Sequence, residues 1–299
     1  MRIAMTLLVR DEADIVAATI EHHLAAGVDI VVATDNGSVD GTVEILERYR
    51  DAGVLELHHE PAQDYEQSRW VTAMARRAAL VHGADWVLNG DADEFVWPSA
   101  GDDVGRTALP DALAAIGPES GTVEMVRDNL VADPERTGLW VHTHVLRDKL
   151  SLSARGTRIG NKVCHRGDPK VTVAVGNHSA SGPALGPGTP QRPLTILHVP
   201  DRGLAQFTRK VANAGSAFAA NDRLDPGIGW HMREDYQRLL AGELAATWAA
   251  RQPDGAAVAA GLADGSLVRD DRLARRLTDL LPHAVVPDAL KAVLTGSGA

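Results

Sequence analysis

Asp91 and Asp93 stand two residues apart at the end of the run Trp86-Val87-Leu88-Asn89-Gly90-Asp91-Ala92-Asp93-Glu94-Phe95. In extended backbone, side chains at i and i+2 share a face, so both carboxylates can approach one cation while Glu94 points away. Hard divalent ions take such oxygen ligands. An Asp-x-Asp arises by chance in an Asp-rich chain and then reads as a solvated turn. Here a strand-like run precedes it, aromatic Phe95 and Trp97 follow, and Pro98 stops the element, which makes it a candidate metal site.

Other polar residues offer less specific chemistry. Asp35 ends an apolar run, where an acid can hold a nucleotide's base or ribose; equally, Asp35 and Asp40 suit the turn and helix start that Asn36-Gly37-Ser38 signals. For Asp40 the turn is the better reading. Arg69, near a helix start, is placed to reach an anion, whereas Arg76 and Arg77 read as a solvated face. His198 follows Ile196-Leu197 and precedes Pro200-Asp201-Arg202, and neutral imidazole can complete an octahedral shell around a divalent ion. A structural histidine fits the same place. His178, in Gly176-Asn177-His178, is the competing ligand or a substrate contact, and His22 and His23 read as helix-surface residues.

The elements that must position these groups alternate. Residues 3–9, 30–34, 54–57 and 85–88 read as strands, and residues 11–26, 42–49 and 65–81 as helices, with Val16, Ile20 and Leu24 on one stripe of the first. Such alternation implies an α/β fold whose parallel sheet presents ligands beyond the strands' carboxyl ends. Three polar clusters then share that edge: Arg10 to Glu12, Asp35 to Asp40, and Asp91 to Glu94. After Pro98 the pattern loosens into a short helix over 109–116 and strands over 123–126, 140–145 and 171–175. A Gly/Pro-rich loop over 181–190 precedes a strand over 194–199 and a helix over 204–219. Beyond Trp230 an Ala-rich helical tail packs on the core or on a partner. The organisation expected is a nucleotide-binding half (1–98) and an acceptor-binding half (99–225) of one domain, then a helical extension (226–299).

Composition sets outer bounds. With 299 residues and 44% hydrophobic content a buried core is available, and a net charge of −10 argues against a general nucleic-acid binder. The single cysteine, Cys164, excludes an internal disulfide and a thiol zinc cluster, and reads as a buried structural thiol in a reducing cytosol. The N-terminal run is too soon interrupted by Arg10 and Asp11 to be a signal peptide, and no run reaches membrane-spanning length, so a cytoplasmic protein is expected. Peripheral membrane contact and homo-oligomerisation stay open.

Taken together, Leu7-Leu8-Val9-Arg10-Asp11-Glu12-Ala13-Asp14, Thr34-Asp35-Asn36-Gly37-Ser38-Val39-Asp40-Gly41-Thr42 and Asp91-Ala92-Asp93-Glu94-Phe95 resemble the family 2-type glycosyltransferases with the GT-A fold. The resemblance is closest to a bacterial branch with an Asp-Ala-Asp-Glu-Phe motif. It is strong over about the first hundred residues and extends weakly through Gly176-Asn177-His178 and His198-Val199-Pro200 to Phe207 and Lys210. It implies a GT-A-like, Rossmann-type, mostly parallel sheet sandwiched by helices. Val9, Arg10, Glu12, Asp35, Asn36, Arg69, Asp91 and Ala92 would line the donor nucleotide, with Asp35 on the base. Asp91, Asp93 and His198 would hold Mn²⁺ or Mg²⁺, and His178 and Lys210 would meet acceptor or substrate.

The activity so implied is inverting transfer of a sugar from a nucleotide-diphosphate sugar, UDP-sugar favoured, to the hydroxyl of a lipid-linked or small-molecule acceptor. The family's Glu-Asp pair for the general base is not clear here; Asp128, Glu124 and Asp235 are the candidates. Two other readings compete. A nucleotidyltransferase would carry a Gly-rich basic loop after the first strand, where this chain has Arg10-Asp11-Glu12-Ala13-Asp14. A non-catalytic nucleotide-sugar-binding module would keep the fold and lack the base.

Overall fold

The computed structural model describes residues 1–62, 66–101, 104–221, 225 and 227–296. Apolar runs buried on both faces build its parallel half. Strands β1 (Ile3–Val9), β2 (Ile30–Asp35), β3 (Leu55–His59) and β4 (Trp86–Gly90) alternate with helices α1 (Val16–Ala26), α2 (Thr42–Asp51) and α3 (Gln67–Leu80). They pair in parallel in the order β3-β2-β1-β4. Val9 lies opposite Asp35 and Leu7 opposite Gly90, so the loops after β1, β2 and β4 leave the sheet at one edge.

The rest of the sheet is mixed. In chain order follow β5 (Glu94–Pro98), α4 (Ala108–Ala114), β6 (Thr122–Val131), α5 (Trp140–Thr143), β7 (Leu146–Asp148), β8 (Lys162–Arg166), β9 (Thr172–Val173), β10 (Ala180–Ser181) and β11 (Leu194–His198). Then come α6 (Leu204–Ala220), α7 (Trp230–Leu240), α8 (Leu244–Arg251), α9 (Gly255–Asp264), β12 (Leu267–Arg269), α10 (Arg272–Leu280) and α11 (Pro287–Thr295). Strand β8 lies between β4 and β6, antiparallel to both; β7 and β12 extend the sheet beyond β6. Strand β11 runs parallel to β6 and antiparallel to β5. The whole is an α/β architecture, a mostly parallel half continued by a mixed one.

Each face of the sheet has its own core. Ile20, Leu46, Trp86, Leu277 and Leu290 bring α1, α2, α10 and α11 together on one face. Val71 and Met74 of α3 meet Val32 and Val87 on the other. Phe207, Val211 and Leu244 make a third, smaller cluster among α6, α7 and α8. The C-terminal tail is woven into the domain, since β12 pairs with β7 and α10 and α11 pack on α1.

Several expectations are corrected. Residues 140–145, whose Val141, Thr143 and Val145 alternate like a strand, form α5 instead: the Thr143 hydroxyl bonds back to Leu139 O, and the Trp140 indole donates to Asp14 O at 3.0 Å. The strand over 171–175 shrinks to β9 and gives way to a 3₁₀ turn, Val175–Asn177. His22 and His23 are fully buried rather than on a helix surface. His23 Nδ1 donates to Thr19 O at 2.7 Å and its Nε2 accepts the Val96 amide at 3.2 Å; His22 Nε2 donates to Val96 O at 2.8 Å. The pair ties α1 to β5 as neutral imidazoles, burial holding His23 down at about 4 and His22 lower than usual. Tyr65, expected at the start of α3, lies outside the described residues.

Candidate active site

Asp91-Ala92-Asp93 forms the tight turn between β4 and β5, closed by the Glu94 amide donating to Asp91 O at 3.1 Å. The extended geometry expected for this motif therefore does not hold, because β4 ends at Gly90 and the chain reverses at once. Asp93 is 4% exposed and Asp91 35%. Each carboxylate meets its own lysine: Lys162 Nζ stands 2.5 Å from Asp91 and Lys210 Nζ 2.7 Å from Asp93. Glu94 does not turn away. It is buried, accepts Arg127 Nη1 at 3.0 Å and faces Lys162 Nζ at 3.4 Å.

Arg202, in the loop after β11, is 0% exposed and joins three carboxylates. Its guanidinium contacts Glu12, donates to Asp14 at 2.7 Å and lies 3.8 Å from Asp93. Burial of so many acids has a cost that shows in their protonation. Desolvation lifts Glu12 to about 7 despite Arg202 and Lys210 beside it. Asp93 is the reverse case: burial alone would raise it, but the charges of Lys210 and Arg202 hold it well below the usual carboxylate range. Lys210, half-buried, stays charged because Asp93 and Glu12 face it, against the desolvation of its site.

His198 ends β11 with Nδ1 2.7 Å from Asn129 Oδ1 and Nε2 3.7 Å from Asp93 Oδ1. With the amide oxygen as acceptor, Nδ1 carries the proton and Nε2 presents its lone pair toward the carboxylate. Burial lowers the pKa of this imidazole and keeps it neutral. A nitrogen lone pair facing a carboxylate oxygen, too far apart for a hydrogen bond, is a donor set that suits a divalent cation. Among the described residues no three His, Cys, Asp or Glu side chains gather as a metal-holding group. Asp91 thus does not complete a triad with Asp93 and His198 here: Lys162 and the Asn177 amide, 3.3 Å away, engage it instead.

The remaining predicted residues separate into groups. Val9, Glu12, Asp35, Asn36 and Ala92 lie around the sheet edge. Val9 O accepts the Asn36 amide at 2.9 Å, Asn36 Nδ2 donates to Glu60 O and Ala62 O, and Ala92 O accepts the Thr19 hydroxyl. Asp35 is buried, and its carboxylate accepts the Gly37 amide at 3.0 Å and the Ser38 amide at 3.2 Å, the turn geometry weighed above. Arg10 sits partly buried in the loop after β1. Arg69 is 77% exposed and pairs with Glu66 at 3.0 Å within its own helix. Among the candidate bases, Asp128 pairs with Arg158 and Arg147, and Asp235 is buried between Arg238 and Arg251. Both carboxylates are committed to guanidinium groups and are poorly suited to accept a proton. Glu124 is exposed and pairs with Arg192 at 3.0 Å.

With this geometry in hand, comparison with known proteins is informative about one stretch. Residues 4–112 match the model of Glycosyltransferase family 92. That stretch contains β1 to β5 and the Asp-Ala-Asp turn. No curated relative matches the chain. Among solved structures, S. aureus TarS 1-349 in complex with UDP-GlcNAc is similar at 13% identity, covering 99% of this chain and 84% of that one, with a TM-score of 0.43. A mycobacterial protein is similar at 17% identity over 74% of this chain and 76% of that one, with a TM-score of 0.37. Glucosyl-3-phosphoglycerate synthase from Mycobacterium tuberculosis, in complex with Mn²⁺, UDP and phosphoglyceric acid, is similar at 18% identity over 42% of this chain and 43% of that one, with a TM-score of 0.27.

Sequence reasoning missed Lys162, Arg127, Asn177, Asn129 and Arg202. Lys162 sits on a strand that was itself unrecognised, and nothing local distinguishes a lysine bound for a buried ion pair from a solvated one. Arg202 had a weak signal in the Pro200-Asp201-Arg202 turn beside His198. Among the described residues no helix is long and apolar enough to cross a membrane.

Proposed function

We propose that this chain is a glycosyltransferase that moves a sugar from a nucleotide-diphosphate donor, UDP-sugar first among candidates, to an acceptor hydroxyl with inversion. The observation that carries this reading is the meeting, at the carboxyl edge of β1 and β4, of the Asp91-Ala92-Asp93 turn with Lys210, buried Arg202 and neutral His198. The match of residues 4–112 to a glycosyltransferase family supports it. Asp93 and His198 are the residues that would hold Mn²⁺ or Mg²⁺, with Asp91 beside them. The ion supplies charge stabilisation on the leaving diphosphate when bound. Lys210 and Arg202 supply fixed positive charge at the same place, preorganised because acids hold both. The Asp35 turn and the loop after β1 bound the nucleotide side.

The test is a thermal-shift panel of UDP-, GDP- and dTDP-sugars with and without Mn²⁺, repeated on Asp93→Ala. A ligand that binds only the native state raises its stability with the logarithm of ligand concentration above Kd. A concentration-dependent shift with one nucleotide class, lost in Asp93→Ala, is expected. Folded wild-type protein that shifts with none of these donors would sink the reading. Released nucleoside diphosphate, rather than pyrophosphate, separates sugar transfer from nucleotidyl transfer.

A further inference from the structure

A groove of ≈ 510 Å³ runs along β6 and β8 beneath the β9–β10 hairpin and the Gly/Pro-rich loop before β11. Thr122, Glu124, His178, Ser179, Thr189 and Arg192 give it hydroxyls, a carboxylate, an imidazole and a guanidinium. Its apolar contributors, Val163, Ala180 and Pro190, are small, so a lipid chain finds no greasy wall. Charges of both signs line it, which disfavours a polyanion. A neutral ligand with many hydroxyls matches this lining.

At one end the groove meets the carboxylate turn. His178 follows Asn177, whose side-chain amide donates to Asp91 Oδ1 at 3.3 Å. The imidazole is set in a slot between two glycines: a Cβ on Gly160 would stand 2.8 Å from its Cε1, and one on Gly176 2.7 Å from its Nε2. His178 Nδ1 lies 2.7 Å from Asn161 O, so it donates there and Nε2 keeps a free lone pair. Asp128 and Asp235 are each held by two arginines, so neither competes with this nitrogen for a proton.

We infer that this groove is the acceptor site, that it takes a saccharide or polyol, and that His178 Nε2 receives the proton of the attacking hydroxyl. The inference rests on the glycosyltransferase reading and names its acceptor class. The acceptor oxygen forms a bond to the anomeric carbon as the bond from that carbon to the diphosphate oxygen breaks. The electron pair leaves with the diphosphate, the acceptor proton passes to Nε2, and the imidazolium returns it to water. Burial lowers the pKa of His178, with Asn161 O opposing, so the ring is neutral before the step.

The experiment uses the full chain, the UDP-sugar that binds in the panel above, and methyl glucoside, methyl galactoside, methyl N-acetylglucosaminide and ribitol as acceptor probes. Saturation-transfer NMR reads probe binding, calorimetry reads donor binding, and product analysis reads transfer. In His178→Ala, donor affinity is expected within about twofold of wild type while transfer to the best probe falls by about 10²–10⁴-fold, the range for a lost general base. Added imidazole should restore part of it, which a purely structural role for the ring would not show. Thr189→Trp, which fills the groove from its exposed loop, should raise the KM for the probe with donor affinity unchanged. Donor binding with no probe bound, or full transfer by His178→Ala, overturns this inference alone; so does loss of transfer on Glu124→Gln with His178→Ala active. Absence of donor binding in the wild type overturns the glycosyltransferase reading beneath it.

Discussion

The first hundred residues and the remaining two hundred contribute to the site in opposite currencies of charge. Glu12, Asp14, Asp91, Asp93 and Glu94 come from the former; Arg127, Lys162, Arg202 and Lys210, which face them, come from the latter. Even the neutral contacts cross the same divide, Asn177 reaching Asp91 and Asn213 reaching Asp11 at 2.6 Å. The parallel half thus presents acids at a sheet edge, and the mixed half closes the circuit with cations. Neither half carries a balanced site alone.

Removing an acid at the centre should break this division most severely. Asp93→Ala leaves Lys210 and Arg202 without their shared carboxylate, and a buried charge stripped of its partner costs about 3–5 kcal/mol. Sugar transfer is expected to fall by at least about 10²-fold beyond any loss of folded protein, measured as kcat on the fraction that urea titration shows folded. Asp93→Asn, of the same shape, should keep more stability and recover little turnover. Equal activity in both variants and wild type would show that the centre is only structural.

Removing the cation instead should be next in size. Arg202→Met strands Glu12 and Asp14 and leaves Asp93 to Lys210 alone, and a lowered urea midpoint worth about 3 kcal/mol or more is expected. The variant should regain part of that stability when Glu12→Gln is added, because one of the stranded charges is gone. A strictly additive double variant would mean that Glu12 and Arg202 do not share a network.

The same acids predict how stability varies with pH, and an unrelated part of the core predicts the opposite. Glu12 has its carboxyl raised from 4.5 to about 7, so the native state holds a proton the unfolded chain has released, and stability is lost as pH rises from about 4.5 to about 7. His23 has its imidazole lowered from 6.5 to about 4, so the unfolded chain binds the extra proton and stability is lost as pH falls from about 6.5 to about 4. Each is worth about 3 kcal/mol at full effect. His22 is shifted in the same direction as His23, so wild-type stability should rise overall from pH 4 to pH 6.5. Glu12→Gln should steepen that rise and His23→Gln should flatten it, in denaturant titrations across the range. The smallest effect belongs to the exposed Glu124–Arg192 pair: either residue to Ala should change stability by less than about 1 kcal/mol.

What could be read from the sequence follows the same division. Strands β1 to β4 and helices α1 to α3 are legible because each buries a continuous or periodic apolar set that local pattern reveals. The edge where Glu12, Asp35 and Asp91 collect follows from parallel alternation alone. Strand β8, with Lys162, Cys164 and His165, was missed because its polar residues become core only once β4 and β6 flank it. The Asp-Ala-Asp stretch reads as extended backbone but forms a turn, since nothing before Glu94 announces that β5 begins there. His22 and His23 looked like surface residues because their partners, Val96 O and N, lie more than seventy residues away.

Arg202 and Lys210 also set a schedule for synthesis. The ribosome delivers Asp93 more than a hundred residues before Lys210, which at about 5–20 residues per second is a wait of roughly ten seconds. During that interval Asp93 has neither Arg202 nor Lys210 to pair with. The ion pairs of Asp93 therefore form late, once the turn after β11 and helix α6 have been made, and the helices that complete the core on α1 come later still.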